Sequence, residues 1–239
     1  METFFRLITV LPGWDWVALA TFFCGWVGYA RFAKHRATSQ PSVLASTNRI
    51  RRQWMLQSTR REVRVLDAIV MQSLATSPSL FASTTILIIG GLLAALSTTD
   101  KATELVREIP FTAQTSLLVF DLKLMLLLGI FVYGFFRFTW SMRQYTFGAM
   151  LVATAPEMEQ FEVQGAAAEM QRNAFADRAG RVVSLAAETF NDGLRGYYFG
   201  FAAIGWFFSP FAFIFASAGI IFILYRREFH SEVLAVLNS

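Results

Sequence analysis

Residues 68–99 read AIVMQSLATSPSLFASTTILIIGGLLAALSTT and contain no Asp, Glu, Lys, Arg or His. A helix that crosses the hydrocarbon core of a bilayer needs roughly 20 mostly apolar residues. Residues 196–225 form a second stretch without these residue types, and it is also long enough. Because such long apolar stretches are typical of membrane proteins, these two stretches decide the class of the protein.

The composition of the whole chain agrees with this interpretation. Of 239 residues, 55% are hydrophobic and 16% are charged, whereas a soluble domain has about 45–50% and about 25%. The mean hydropathy is +0.45. We therefore predict an all-α integral membrane protein of an inner or plasma membrane, in which residues 1–239 form a single membrane domain.

Four transmembrane helices are predicted, with approximate bounds 14–33, 79–98, 116–140 and 196–225. The first apolar stretch runs into Arg31 and Lys34 without a clear small-residue cleavage site, so we interpret it as an uncleaved anchor. The helical pattern of the third span continues to about Thr154. This predicts either a long helix that leaves the membrane or a break near Ser141. Pro210 lies in the middle of the fourth span and predicts a kink there.

Two further segments, 46–77 and 157–195, have the composition of long amphipathic cytoplasmic helices. In the first, apolar residues such as Ile50 and Trp54 recur at helical spacing and the arginines fall mainly off that stripe, which is typical of a helix near a membrane surface. Pro78 is expected to end this helix. In the second, a break near Gly180 would divide the segment into two helices.

Basic residues are concentrated in residues 34–67, the Arg-rich segment, which has eight Lys and Arg but only two acidic residues. Short loops rich in Lys and Arg stay in the cytoplasm. This rule places the Arg-rich segment inside, and the N-terminus and the mixed-charge loop 99–115 outside. With four spans the C-terminus is also outside. If the fourth span instead re-enters as a kinked hairpin, the tail returns to the cytoplasm.

Motifs for known reactions are missing from the sequence, which has no GxGxxG, Walker loop, HExxH or GxSxG. One cysteine, Cys24, and two histidines leave little material for a metal or haem site. We therefore expect no enzyme activity, no metal and no cofactor. The pI of about 9.5 follows from the Arg-rich segment beside a span, so no nucleic-acid partner is expected.

Polar residues inside the predicted spans are the candidates for a functional site. They are Ser83, Thr84 and Thr85 in the second span and Asp121 and Lys123 in the third. A charge at bilayer depth costs about 2.5–3.5 kcal/mol on insertion scales, so it indicates a site by default. A structural ion pair is an equal alternative for the two charges. The hydroxyls, with Gly90 and Gly91, are also typical of helix–helix contacts.

Asp121 and Lys123 are two residues apart, which places them about 200° apart around a helix. They cannot pair well within that helix, because partners lie three or four residues apart. Each is expected to find its partner on another span, on a second subunit or in water. Four residues near the other end of the third span are interpreted as interface anchors: Arg137, Trp140, Arg143 and Tyr145.

Five stretches carry a resemblance to one family: FASTT at 81–85, DLK at 121–123, FFRFTWSMRQY at 135–145, GLRGYYF at 193–199 and LYRREF at 224–229. From about Arg52 to Phe229 the chain resembles the domain of unknown function 599 family of bacterial and plant membrane proteins. Asp121 stands where that family usually has Glu, which keeps the charge. The resemblance implies a protein that spans the membrane several times, and it implies no activity.

Two functions from different classes remain open. The first is a self-associating channel or transporter-like protein, supported by the polar start of the second span and the charges of the third. The second is an accessory or scaffold subunit of a larger membrane complex, supported by the missing reaction motifs and by an aromatic surface of Phe207, Phe208, Phe211, Phe213 and Phe215. The expected partners are the lipid bilayer and either further copies of the chain or other membrane subunits.

Overall fold

The computed structural model describes residues 11–37, 39–99, 116–156 and 166–238, and these residues form helices with no strand among them. The helices are α1 (Gly13–Arg36), α2 (Val43–Ser58), α3 (Val65–Ser97), α4 (Leu117–Ala153), α5 (Ala166–Ile204), a 3₁₀ turn (Gly205–Phe207), α6 (Pro210–Phe229) and α7 (Glu232–Asn238). Most of the predicted loop 99–115 and the beginning of segment 157–195 lie outside the described residues.

Among the described residues, three helical stretches are long and apolar enough to cross a membrane: α3, α4 and the stretch Pro210–Asn238. The predicted all-helical class is confirmed, with three candidate membrane-spanning helices, whereas the count of four spans stays a prediction. Helix α1, which contains the predicted first span, is not among the three.

Helices α3 and α4 are longer than a single bilayer crossing requires. They have 33 and 37 residues, which corresponds to about 50 Å and about 55 Å at helical rise. The hydrocarbon core is only about 30 Å thick. Helix α4 runs without a break at Ser141 and ends shortly before Pro156, so the long helix is the correct one of the two alternatives.

The expectation that Pro78 ends a helix is wrong. Helix α3 begins at Val65 and continues through Pro78. The break lies earlier, at residues 59–64, so the predicted segment 46–77 consists of α2 and the first turns of α3. A proline inside a helix removes one backbone hydrogen bond. The side chain of Pro78 is fully buried, and its packing offsets that loss.

The suggested break at Gly180 is also absent, because α5 is continuous from Ala166 to Ile204. Gly180 is instead a crossing point of two helices. A Cβ atom at Gly180 would lie 2.9 Å from the Cα atom of Arg52 in α2. Only a residue without a side chain permits so close an approach of two backbones.

Pro210 begins a new helix rather than kinking an existing one. Helix α5 ends at Ile204, and the predicted span 196–225 is divided at the 3₁₀ turn. Pro210 is the first residue of α6, where its missing N–H is not needed. The Ser209 hydroxyl caps this helix by accepting a hydrogen bond from the Ala212 N–H at 3.0 Å.

The chain divides into two compact units. Unit 1 contains Met1–Arg36, Thr84–Gly134 and Leu194–Arg227, and unit 2 contains Ala37–Ser83, Phe135–Gly193 and Glu228–Ser239. Helices α3, α4 and α5 contribute residues to both, and the last two residues of α6 belong to unit 2. That residues 1–239 act as one membrane domain stays a prediction.

In unit 1, the end of α5 and helix α6 form an antiparallel hairpin. At the turn, a Cβ atom on Gly205 would lie 3.1 Å from the carbonyl oxygen of Ala212. Further along the two arms, the Arg227 guanidinium donates to the Tyr198 hydroxyl at 2.9 Å. The sequence left two alternatives for this segment, a single kinked helix or a hairpin. The structure has the hairpin.

Helix α1 lies parallel to α6 in unit 1. Near the start of both helices the ring centroids of Trp14 and Phe211 are 5.2 Å apart. Near their ends those of Phe32 and Tyr225 are 6.3 Å apart. The N-terminal end of α1 therefore lies at the same end of unit 1 as the hairpin turn.

In unit 2, α3 and α4 are antiparallel and α7 packs against α2. The ring centroids of Phe81 and Phe138 are 5.3 Å apart, and a Cβ atom on Gly148 would lie 3.2 Å from the methyl group of Met71. The Ser46 hydroxyl of α2 donates to the side-chain oxygen of Asn238 at 2.9 Å. The last helix of the chain is thus attached to the Arg-rich segment.

Candidate functional site

Lys123 lies on the buried face of α4. This face is formed in unit 1 by Val119, Phe120, Lys123, Leu124, Leu127 and Ile130, all of which are buried. Their spacing of three or four residues is that of one helix face. Lys123 therefore points inward because of its position in the helical repeat, and only 2% of its surface is exposed.

The ammonium group of Lys123 lies against two aromatic rings of the 3₁₀ turn. Its Nζ atom is 5.6 Å from the ring centroid of Trp206 and 5.7 Å from that of Phe207. A cation at this distance from a ring face is attracted by the ring quadrupole, more strongly when water is excluded. Trp206 is 1% exposed, so water has little access to this side of the ammonium group.

Asp15 supplies the negative charge of the cluster. Its carboxylate is 5% exposed and accepts a hydrogen bond from the Trp206 indole Nε1 at 2.5 Å. It attracts the Lys123 ammonium electrostatically. Asp15 also lies in the first turn of α1, where the helix dipole favours a negative charge. We call Asp15, Lys123, Trp206 and Phe207 the Lys123 cluster.

Asp121 has a different partner from Lys123. It is half-buried, and its Oδ1 atom accepts a hydrogen bond from the Thr99 hydroxyl at 2.8 Å. Thr99 lies two residues after the end of α3, so this hydrogen bond connects the end of α3 to α4. Each of the two charges thus has a partner away from its own helix, as their spacing predicts.

The hydroxyl residues of α3 do not form one site with these charges. Ser83 and Thr84 are exposed. Thr85 is completely buried, and its hydroxyl shares a hydrogen bond of 2.7 Å with the Tyr197 hydroxyl of α5. Ser83 belongs to unit 2 and Thr85 to unit 1. The structure therefore brings the five candidate residues to separate places.

The four predicted anchors also differ in their surroundings. Arg137 forms an ion pair with Asp192, and its Nε atom is buried without a hydrogen-bond partner among the described residues. Trp140 is 47% exposed, and Arg143 is exposed as well. Tyr145 is 4% exposed and lies in the core of unit 2, so it does not present its ring at a surface.

Sequence reasoning missed the role of Asp15, Trp206 and Phe207. Asp15 was visible as an acidic residue at the start of an apolar span, but nothing local linked it to Lys123. The two rings were visible only as part of an aromatic stretch. The described residues contain no group of three or more His, Cys, Asp or Glu side chains that could hold a metal ion. The candidate site in unit 1 therefore consists of two buried, oppositely charged groups, Lys123 and Asp15.

One family model matches most of the chain. Residues 17–233 match the model of the family described as "Protein of unknown function, DUF599". The protein belongs to the DUF599 family. The match includes Lys123, Trp206 and Phe207, whereas Asp15 precedes it by two residues. No curated protein and no solved structure gave a significant match.

Proposed function

We propose that this DUF599 protein is a self-associating, transporter-like membrane protein, in which the Lys123 cluster is the polar centre. The observation that carries the proposal is the burial of Lys123 on an apolar helix, with 2% of its surface exposed. A charge in such a place costs several kcal/mol unless it is compensated. Substitution of a buried ion pair by apolar residues of similar volume often leaves the stability of a protein unchanged. The presence of two buried charges that attract each other in unit 1 therefore supports a role in handling a charged solute.

The proposed orientation follows from the charge distribution. We place the Arg-rich segment in the cytoplasm and the N-terminus outside, so that α1 is a further crossing. Because α7 packs against α2 in unit 2, the C-terminus is placed on the cytoplasmic side as well. This replaces the expected outside C-terminus, since the two arms of the α5–α6 hairpin return the chain to the side from which it entered. The Lys123 cluster then lies toward the outer leaflet.

Self-association is supported by an open face of α3. A Cβ atom on Gly90 or Gly91 would meet nothing within 4 Å, and both residues are exposed. Small residues let two membrane helices approach closely. We therefore propose that this face contacts a second copy of the chain.

A role as an accessory or scaffold subunit is the second candidate. It is favoured by an exposed apolar stripe on α4 in unit 2, formed by Phe136, Trp140, Phe147 and Met150, which are 40% to 64% exposed. Exposed apolar surface of this kind is typical of protein or lipid contact sites. The stripe would serve a partner subunit if the protein carries no solute.

A flux measurement on proteoliposomes tests the proposal. Proton flux is followed with a trapped pH-sensitive dye and chloride flux with a trapped chloride-sensitive dye, both under an imposed membrane potential. The test variant carries Lys123→Met and Asp15→Asn together, which removes both buried charges and leaves no unpaired ion. The control is Arg178→Gln, an exposed cation on α5 in unit 2. Thermal unfolding in detergent is measured for every variant.

We expect the double variant to lose flux at least about ten-fold, while its melting midpoint stays within about 2 °C of the parent. The control should keep the flux. Unchanged flux in the double variant would make the pair purely structural. If the parent protein conducts neither ion faster than protein-free liposomes, the transporter-like function is wrong and the scaffold function is preferred.

A further inference from the structure

A groove lies in unit 2 between α2 and the first turns of α3, with a volume of about 420 Å³. Its apolar walls are Ile50, Leu66, Val70 and Leu74, and two cations, Arg51 and Arg61, also line it. The α3 residues recur at every fourth position, so the groove follows that helix for about 12 Å. Ile50, Leu66 and Val70 are 45%, 59% and 37% exposed, so much of this apolar surface is not covered by the described residues.

One carboxylate, Asp67, lines the groove together with the two guanidinium groups. Asp67 is completely buried, and its Oδ1 atom accepts hydrogen bonds from the Trp54 Nε1 atom at 2.7 Å and the Arg61 Nη1 atom at 2.5 Å. This contact accounts for the charge of Arg61. Among the described residues that line the groove, no second carboxylate is present for Arg51, and its acidic neighbour Glu188 lies outside this lining.

Arg51 is held by neutral partners on its own helix. Its Nη1 atom donates to the Thr47 hydroxyl at 3.1 Å and to the side-chain oxygen of Asn48 at 2.8 Å. A guanidinium has five N–H donors and keeps its charge in proteins. Burial lowers the pKa of Arg51, and the nearby Tyr145 and Glu188 oppose that shift. The groove therefore carries an excess positive charge with N–H donors available for an anion.

The surroundings of the groove favour a lipid over a small soluble anion. Val63, Val65 and Ile69, at and before the start of α3, are 70%, 63% and 59% exposed. Helix α3 itself is long and apolar enough to cross a membrane. Apolar side chains interleaved with arginines at the beginning of such a helix are typical of the interface of an anionic leaflet.

We propose that this groove binds one membrane phospholipid with an anionic head group. An acyl chain lies along Ile50, Leu66 and Val70, and the phosphate contacts Arg51 and Arg61. The apolar walls alone would accept any lipid chain. Two guanidinium groups and one carboxylate line the groove, and this excess of positive charge selects an anionic head group, because a guanidinium pairs well with phosphate oxygens.

Thermal unfolding of the full-length protein in dodecyl maltoside tests the proposal with three probes. Dioleoyl phosphatidylglycerol and dioleoyl phosphatidylcholine have the same chains and different head groups. Glycerol 3-phosphate presents an anionic phosphate without chains. We expect phosphatidylglycerol at about ten times its Kd to raise the melting midpoint by roughly 3–6 °C, phosphatidylcholine by less than half of that, and glycerol 3-phosphate not at all.

The test variant is Arg51→Gln and its matched control is Arg49→Gln, an exposed arginine two positions earlier on α2. The two positions differ by about 200° around the helix. Since Arg51→Gln also disturbs the contacts with Thr47 and Asn48, the quantity compared is the difference between the phosphatidylglycerol and phosphatidylcholine midpoints within each variant. Val70→Asp is a second variant, because it brings a carboxylate into the groove and removes no hydrogen bond.

We expect Arg51→Gln and Val70→Asp to reduce this difference at least two-fold and Arg49→Gln to leave it unchanged. Equal stabilisation by the two lipids would overturn the proposal. So would an equal loss in Arg49→Gln, which would indicate diffuse attraction by the whole Arg-rich segment. Stabilisation by glycerol 3-phosphate equal to that by phosphatidylglycerol would identify a site for a soluble anion instead of a lipid.

Discussion

Asp15 and Trp206 are 191 positions apart in the sequence. The Trp206 indole nevertheless donates a hydrogen bond to the Asp15 carboxylate at 2.5 Å. Both side chains are almost completely buried, at 5% and 1% exposure. This hydrogen bond connects the start of α1 to the turn between α5 and α6. It also holds the carboxylate close to Lys123, so the same contact serves the packing of unit 1 and the position of its buried charges.

Trp206→Phe should destabilise the protein, because it keeps most of the ring but removes the only side-chain donor that the structure shows for Asp15 among the described residues. A buried carboxylate that loses a hydrogen bond costs about 1–3 kcal/mol, to be measured as a change in the free energy of unfolding in detergent. Trp140→Phe is the control, because Trp140 is 47% exposed. Equal effects of the two substitutions would show that the Asp15 hydrogen bond contributes nothing.

Gly193→Ala and Gly91→Ala should have opposite effects on stability. A Cβ atom at Gly193 would lie 2.5 Å from the ring of Phe138, which is fully buried and cannot move without disturbing the core. Overpacking of this kind costs about 1–3 kcal/mol. At Gly91 a Cβ meets nothing within 4 Å, and alanine gains up to about 1 kcal/mol of helix propensity. Thermal unfolding of the two variants checks this, and a stable Gly193→Ala variant would contradict the close contact.

Gly91→Leu should impair self-association while leaving the fold of the single chain intact. A leucine at position 91 has space within the single chain, because a Cβ atom there meets nothing within 4 Å. It would, however, prevent the close approach of a helix from a second copy. The mass of the protein–detergent complex, measured by light scattering, should fall to that of one chain. Leu93→Ala, which shortens an exposed side chain about 200° from Gly91 around the same helix, serves as the control. The proposed contact is wrong if the parent protein is already monomeric, or if Gly91→Leu keeps the parental mass.

Cysteines introduced at Gln57 in α2 and Val233 in α7 should report the same side of the membrane. Both positions are exposed, whereas the neighbouring Ser58 is completely buried and unsuitable for labelling. With the exposed Cys24 replaced by alanine, an impermeant thiol reagent should label neither position in intact cells and both after permeabilisation. Labelling of either one in intact cells would refute the proposed orientation.

The partners of Asp121 and Lys123 show how far the sequence reaches. Their separation of two residues predicts that they face different directions, because this follows from the helical repeat alone. The sequence does not identify Thr99 or Asp15 as their partners, because helix pairing depends on which apolar faces fit together, and several faces here are similar in composition. The same holds for Tyr145, whose local surroundings resemble an interfacial anchor although its ring lies in the core of unit 2.

The sequence by itself determined the membrane class. The stretch 68–99 has no charged side chain, so its exposure to water is unfavourable, and as a helix it pairs all its backbone N–H and C=O groups internally. The sequence also determined where α4 ends, before Pro156. Only the tertiary structure decided what Pro78, Gly180 and Pro210 do. A proline or glycine in a helix costs between about 1 and 3 kcal/mol, which is comparable with the packing energy of a single buried side chain. Pro78 and Gly180 are therefore accommodated within continuous helices by their neighbours, whereas Pro210 begins a new helix at a turn that Trp206 and Asp15 hold in place.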